Sequence, residues 1–270
     1  MENPILLIAK KEFLDNIRNK WIIVVSILII ALTLLSSFAG SYWKSFEGTI
    51  VGMIATVQFF IPLIGLMLGY ATIIGETERG SMNSLLAHPV TRFEIIMGKL
   101  LGNGVILALS IIIGFGTGGI IVAFNVSDVN VIGYLIFIGA TILIGIIYFA
   151  LSMLFSTILK RRTLAMGVSI LTYFFFLIIY PLILSMIWLA TSPEQFTQGP
   201  TITQPQIPDW FFGANMINPM SSYSDFITMN LFETNVYPSF YNSNLLLIVL
   251  ILWLIIPLLL SYLFFKRKDI

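Results

Sequence analysis

Residues 129–162 read VNVIGYLIFIGATILIGIIYFALSMLFSTILKRR. No charge interrupts Val129 to Leu159, and three consecutive cations, Lys160, Arg161 and Arg162, follow. A membrane-spanning helix needs about 20 apolar residues, so this stretch can cross a bilayer with length left for tilt. The three cations mark where it leaves the hydrocarbon.

The same reading extends in both directions. Further uncharged stretches run from Trp21 to Trp43, Thr49 to Gly75, Leu100 to Ser127, Thr163 to Pro193, and Thr234 to Phe265, the last densest from Leu245 onward. Six spans place the connecting segments alternately on two sides. One side receives Lys10, Lys11, Arg18 and Lys20; Arg79, Arg92 and Lys99; Lys160, Arg161 and Arg162; and Lys266, Arg267 and Lys268. The other receives only Lys44, together with Glu47, Asp128, Glu194, Asp209, Asp225 and Glu233. Adding or removing one span would scramble that separation. The positive-inside rule makes the basic side cytoplasmic. The expected fold is therefore an all-α membrane protein with six transmembrane helices and both termini inside, in the cell membrane.

Composition agrees. The chain is 58% hydrophobic and 10% charged, with a mean hydropathy of +0.97, whereas soluble domains carry about 25% charged residues. A soluble chain of this size could not hide so much apolar surface in one core. With no cysteine and a single histidine, His88, neither a thiolate site nor a multi-histidine metal cage is possible. The first apolar run is too long for the core of a cleaved signal peptide.

Residues 1–20 read as a separate element. Ile5, Leu6, Ala9, Phe13 and Ile17 recur at helical spacing, with Lys11, Asp15 and Arg18 on the other face. That pattern predicts an amphipathic helix in the membrane interface, followed by a transmembrane domain over 21–270. Within that domain 191–243 is the one long external loop. Its first part, Ser192 to Pro208, is rich in Pro, Gln, Thr and Gly and reads as irregular. Its second part carries Trp210, Phe211, Phe212, Phe226 and Phe232, suited to a short helix at the outer interface. The loop as a whole reads as a flexible lid without a ligand role. Three GxxxG pairs, Gly65 with Gly69, Gly98 with Gly102, and Gly114 with Gly118, favour close helix packing.

Several chemistries lack their residues. No charge falls inside a span as drawn, and intramembrane charges are the usual mark of proton relays and ion-coupled sites. There is no HExxH and no GxSxG. Gly75 and Gly80 have the spacing of a phosphate-binding loop, but Ser81 stands where its lysine belongs. The chain is thus expected to have no nucleotide site, no cofactor and no catalysis of its own.

The most informative segment is 75–99, GETERGSMNSLLAHPVTRFEIIMGK. Glu76, Glu78 and Arg79 close the second span with dense charge, and Gly80 breaks the chain. Ser81 can cap a new helix with Met82, Leu85 and Leu86 on an apolar edge, and Pro89 stops it. Arg92 and Glu94 then lead into the third span. The result is a short, membrane-parallel helix that needs a partner groove or must lie against the bundle.

Glu76, Glu78, Arg79, Gly80, Leu85, Leu86, Pro89, Arg92, Gly98 and Lys99 together resemble the type-2 permeases of ATP-binding-cassette transporters. The pattern is most similar to the branch that includes the nitrous-oxide-reductase maturation permease. Six spans, the interfacial helix and the Asn218–Pro219 pair extend the resemblance over essentially the whole chain; Ser192 to Pro208 looks like an insertion. The resemblance implies that 75–99 holds a coupling helix that docks on a cytoplasmic ATPase subunit. It also implies a second permease copy or homologue, normally as a homodimer, and export rather than import. A membrane scaffold or assembly factor without transport is the alternative reading. No nucleic-acid partner is expected.

Overall fold

The computed structural model describes residues 3–18, 20–43, 45–82, 87, 89–125, 129–192, 207–232 and 237–268. Among them all regular structure is helical. The elements are α1 (Pro4–Arg18), α2 (Trp21–Trp43), α3 (Phe46–Gly69), α4 (Ile74–Glu78), α5 (Arg92–Asn125) and α6 (Val131–Ile158). Then come α7 (Arg162–Phe174), a π-helical turn (Phe175–Ile179), α8 (Tyr180–Thr191), α9 (Asp209–Asn215), α10 (Pro219–Leu231) and α11 (Ser243–Arg267).

Five units are long and apolar enough to cross a membrane: Phe46–Glu78, Arg92–Ile120, Val131–Ile158, Arg162–Thr191 and Ser243–Arg267. The first of these runs through α3 and α4. A sixth forms if α1 and α2, bent from each other by 68°, count as one. The helices α3, α6 and α11 begin on side-chain caps: Ser45 accepts from Gly48 N–H, Asn130 from Gly133 N–H and Asn242 from Leu245 N–H. Such caps satisfy orphan amide donors and contribute about 1 kcal/mol each.

The bundle is organised around α6, whose Phe137, Ile147, Tyr148, Phe149 and Met153 are fully buried. Lipid tails are as apolar as leucine, so close packing rather than water exclusion drives helix association here. All three GxxxG pairs are used for it. A Cβ on Gly65 would stand 2.5 Å from Gly145 O and one on Gly69 2.6 Å from Phe149 O, so α3 lies backbone-close to α6. Gly98 and Gly102 seat α1, with hypothetical Cβ atoms 2.6 Å from Ile8 Cβ and 2.7 Å from Ala9 O. Gly114 and Gly118 receive Ile29 and Thr33 of α2 in the same way. One long helix, α5, thus carries both N-terminal helices on glycine notches.

Much of the apolar stripe of α1 stays outside the bundle, as an interfacial helix allows. Ile8 is buried, whereas Leu6, Leu7, Leu14 and Ile17 are exposed. The physical reason is the solvent: an apolar stripe can face lipid, and the small and polar positions Ala9, Glu12 and Asn16 turn toward α5.

The external segment is more than a lid. Its last part forms two helices, and α10 enters the bundle with Tyr223 and Ile227 fully buried. Gln58, midway along α3, donates to Met220 O at 3.3 Å, and Tyr223 OH lies 2.9 Å from Thr141 Oγ1 of α6. Of Ser192 to Pro208, expected from the sequence to be irregular, residues 193–206 lie outside the described residues.

Asp225 fastens this part together. Its carboxylate accepts from Tyr241 OH at 2.5 Å, Asn215 Nδ2 at 3.1 Å and Tyr237 OH at 3.4 Å, joining α9, α10 and the chain leading into α11. Burial, with only neutral donors in reply, pushes this carboxyl above its ordinary value. The folded state therefore holds the proton more tightly than the unfolded chain. The cost of the charged form is present above the raised folded pKa and is relieved as pH falls through it toward the ordinary 3.8. Asp225→Asn is expected to unfold at a higher temperature than the parent at neutral pH. Melting curves in nanodiscs should show that advantage shrinking on acidification; a pH-independent difference would contradict the burial argument.

Candidate functional site

The segment 75–99 is anchored at both ends by polar contacts that converge at one end of the bundle. Upstream, a turn after α3 leads into α4, where Ser156 Oγ of α6 accepts the Ile73 and Ile74 N–H groups at 3.1 and 3.0 Å. A short helix buried at its start needs such an acceptor, because its first amide donors have no partner within the helix. This fixes α4 against α6 and sets the direction of Glu76 and Glu78.

Glu76 enters a four-charge network. Its Oε1 lies 2.9 Å from Lys11 Nζ and its Oε2 2.9 Å from Lys99 Nζ. Lys99 also reaches Glu12 Oε1 at 2.8 Å, and Lys11 lies 3.7 Å from the same atom. Two cations and two carboxylates alternate, so the cluster is neutral. The Lys99 side chain is only 1% exposed. An amide pair closes one flank: Asn103 Nδ2 lies 3.4 Å from Glu12 Oε2, and Asn16 Nδ2 donates to Asn103 Oδ1 at 3.1 Å. Three chain segments, α1, α4 and the start of α5, are thereby held at one point.

Glu78 acts on a different neighbour. Its Oε1 accepts the Arg162 N–H at 2.8 Å, at the first turn of α7, where a carboxylate suits the positive end of the helix dipole. The Arg162 guanidinium in turn donates to Tyr70 OH at 2.8 Å and stands over that ring. Arg79 is exposed, and Gly80 takes a φ of 74°, the left-handed conformation that glycine adopts without strain. Ser81 and Met82 are helical, and the Ser81 hydroxyl donates back to Glu76 O at 3.3 Å. Met82 is fully buried in the bundle core, so this member of the apolar edge faces inward. Leu85, Leu86 and His88 lie outside the described residues.

Downstream, Pro89 is exposed and α5 starts on a capping box. Thr91 N–H and Oγ1 donate to Glu94 Oε2 at 2.6 and 2.8 Å, while Glu94 N–H donates to Thr91 Oγ1 at 3.2 Å. Arg92 donates to the carbonyls of Phe265 and Lys268 and stacks over the Phe265 ring. Lys268 Nζ then reaches Thr157 O and Leu159 O, tying α11 to the end of α6.

Of the expected site residues, the structure brings Glu76, Glu78 and Arg92 into contacts with other helices and leaves Arg79, Gly80, Ser81 and Pro89 at the surface. Lys11, Glu12, Asn16 and Asn103 were not among them, and Lys99 had no assigned role. A signal existed for Lys99. It follows Ile95, Ile96 and Met97 in a helical register, and a cation in such a run needs a buried partner. Among the described residues, no group of three or more His, Cys, Asp or Glu could hold a metal. The site's contacts join an exposed turn to the ends of the surrounding helices.

The chain is similar to known proteins over nearly its whole length. Residues 6–270 match the family described as ABC-2 family transporter protein. The chain is 29% identical over 286 residues to the ABC transporter permease protein NosY of Stutzerimonas stutzeri, covering 98% of this chain and 99% of that protein. It is also 29% identical over 281 residues to NosY of Pseudomonas aeruginosa, covering 97% and 98%. With a family match running almost from end to end, over a bundle of membrane helices, the chain belongs to the ABC-2 family of transporter proteins.

Proposed function

We propose that this chain is the membrane permease of an ATP-driven exporter and that a separate ATPase subunit energises it by docking on segment 75–99. The observation that carries the proposal is the Lys11–Glu12–Glu76–Lys99 network. It links the turn at Glu78–Met82 to α1 and α5, so a force applied at that turn reaches the spans through rigid contacts. The full-length similarity to NosY permeases supports the same role. By the positive-inside rule the basic end faces the cytoplasm, where an ATPase is available. Two copies of the chain would form one pathway across the cell membrane, and ATP binding would draw the two ATPase subunits together.

The test is co-purification of the chain with its ATPase. Glu78→Lys places a cation at the start of α7 beside Arg162, reversing an interaction that typically stabilises by about 0.3–1 kcal/mol, and it also reverses the charge of the exposed turn. Leu85→Asp puts a charge on the predicted apolar edge. Both variants are expected to lose the partner or the coupling of its ATPase activity, whereas Glu78→Gln retains most of both. If Glu78→Lys and Leu85→Asp keep the partner with full coupling, the docking assignment fails. A wild-type chain that retains no ATPase favours the scaffold reading.

A further inference from the structure

The fifth span has a break whose cause can be traced atom by atom. It runs over Arg162–Thr191 and passes through the π-helical turn Phe175–Ile179. There the Tyr180 N–H donates to Phe175 O, five residues back. That commitment removes the donor that Phe176 O would have in an ordinary helix. The next donor at the wider spacing would be residue 181, and Pro181 has no N–H. The Phe176 carbonyl therefore has no partner within its own helix, at membrane depth, where an unpaired carbonyl costs several kcal/mol.

Asn218 supplies the partner. Its Nδ2 donates to Phe176 O at 2.8 Å, while its Oδ1 accepts the Met220 N–H at 3.0 Å. The side chain is buried, 1% exposed, at the tip between α9 and α10. Two tyrosines hold the span on either side of the break: Tyr173 OH donates to Phe59 O and Tyr180 OH to Ala214 O, each at 2.6 Å. Beside the break lies an open apolar groove of about 490 Å³, lined by Phe155, Phe175, Phe176, Ile179 and Trp253 among others. The Phe176 ring stands edge-on to Trp253, with centroids 5.4 Å apart.

A helix hydrogen bond has thus been replaced by a detachable side-chain amide, beside an open apolar groove. We propose that Phe175–Ile179 is a hinge of the fifth span and that Asn218 is the positioning residue that latches it. The inference rests on the transport reading above. In it, motion started at segment 75–99 bends the span here and releases the amide from Phe176 O.

Trp253 provides the readout. The chain carries Trp253 as its sole tryptophan, with Trp21, Trp43, Trp188 and Trp210 replaced by phenylalanine, and a fluorophore is placed at Ser81. The complex with its ATPase is studied in nanodiscs, with and without a non-hydrolysable ATP analogue. Nucleotide should change the emission of both probes. Pro181→Ala returns the missing N–H and should abolish the Trp253 response while the Ser81 probe still responds. Asn218→Ala should lower the melting temperature, and adding Pro181→Ala should restore it without restoring the response. A Trp253 response of parental size in Pro181→Ala overturns the hinge. So does a double variant that regains both stability and response, because Asn218 would then only fill a hydrogen bond. A Ser81 probe that responds while Trp253 is silent in the parent also overturns it. Silence at both positions overturns the transport reading, and the hinge with it.

Discussion

Lys99→Met is expected to be among the most damaging single substitutions in the chain. The side chain is almost completely buried and lies 2.8 Å from Glu12 Oε1 and 2.9 Å from Glu76 Oε2. Methionine has a similar length and no charge, so the loss is electrostatic rather than one of packing. The neutral cluster becomes net negative, with only the half-exposed Lys11 left to answer two carboxylates. Removing one partner of a buried pair typically costs about 3–5 kcal/mol, because the remaining charge stays desolvated. Denaturant or thermal unfolding in nanodiscs checks the loss.

Neutralising the stranded partners separates charge from shape. The triple variant Lys99→Met, Glu12→Gln, Glu76→Gln should regain much of the stability, since buried ion networks replaced as a whole are often neutral in cost. It should not regain coupling to the ATPase if the ionic contact is what transmits force. A Lys99→Met protein with parental stability would show that the network is solvated and weak.

The spans and their order are legible because both follow from the bilayer itself. Uncharged runs such as Val129 to Leu159 have no other solvent, and the clustering of basic residues fixes which ends lie together. The structure then joins Lys11, Arg92, Lys99, Arg162 and Lys268 with Glu76 and Glu78 at one end of the bundle. Segment 75–99 was readable for a similar reason, since its charges and its Gly80 break interrupt the hydrocarbon pattern.

What escaped reading depends on partners distant in sequence. Lys99 looks like a boundary charge until α1 is known to lie on Gly98 and Gly102 and bring Glu12 beside it. Amphipathic reasoning placed Lys11, Asp15 and Arg18 on the polar face of α1 and did not reach Glu12 and Asn16, which face other helices. The role of Asn218 could not be read from the Asn218–Pro219 pair alone. It depends on a carbonyl 42 residues earlier in the chain, freed by Pro181. The capping box Thr91 to Glu94 is the exception: its spacing is local and stands in the sequence.

Gly69→Leu is expected to be the second severe lesion, and it acts by geometry alone. A Cβ there would stand 2.6 Å from Phe149 O, 2.8 Å from Ser152 Cβ and 3.1 Å from Met153 N. Two of these neighbours are backbone atoms of α6, which no rotamer change can move aside. The helices must separate, and overpacking of this kind costs typically about 1–3 kcal/mol, occasionally more. Separation also stretches the bond from Ser152 Oγ to Leu66 O, 2.8 Å at present, and disturbs the Ser152 contact with Ser169 of α7. The effect should extend beyond stability. Gly69 ends α3, and the turn that follows carries α4, so a displaced helix end draws Glu76 away from Lys99. Gly69→Leu should therefore lose coupling along with melting temperature. Gly116→Ala is the matched control: it lies in α5, a Cβ there meets nothing within 4 Å, and alanine in a helix interior should stabilise it by roughly 0.5–1 kcal/mol. Melting temperature and ATPase coupling measured on both variants decide the matter. If Gly69→Leu behaves like Gly116→Ala, α3 and α6 are not in backbone contact, and the path from Glu76 into the bundle core must run elsewhere.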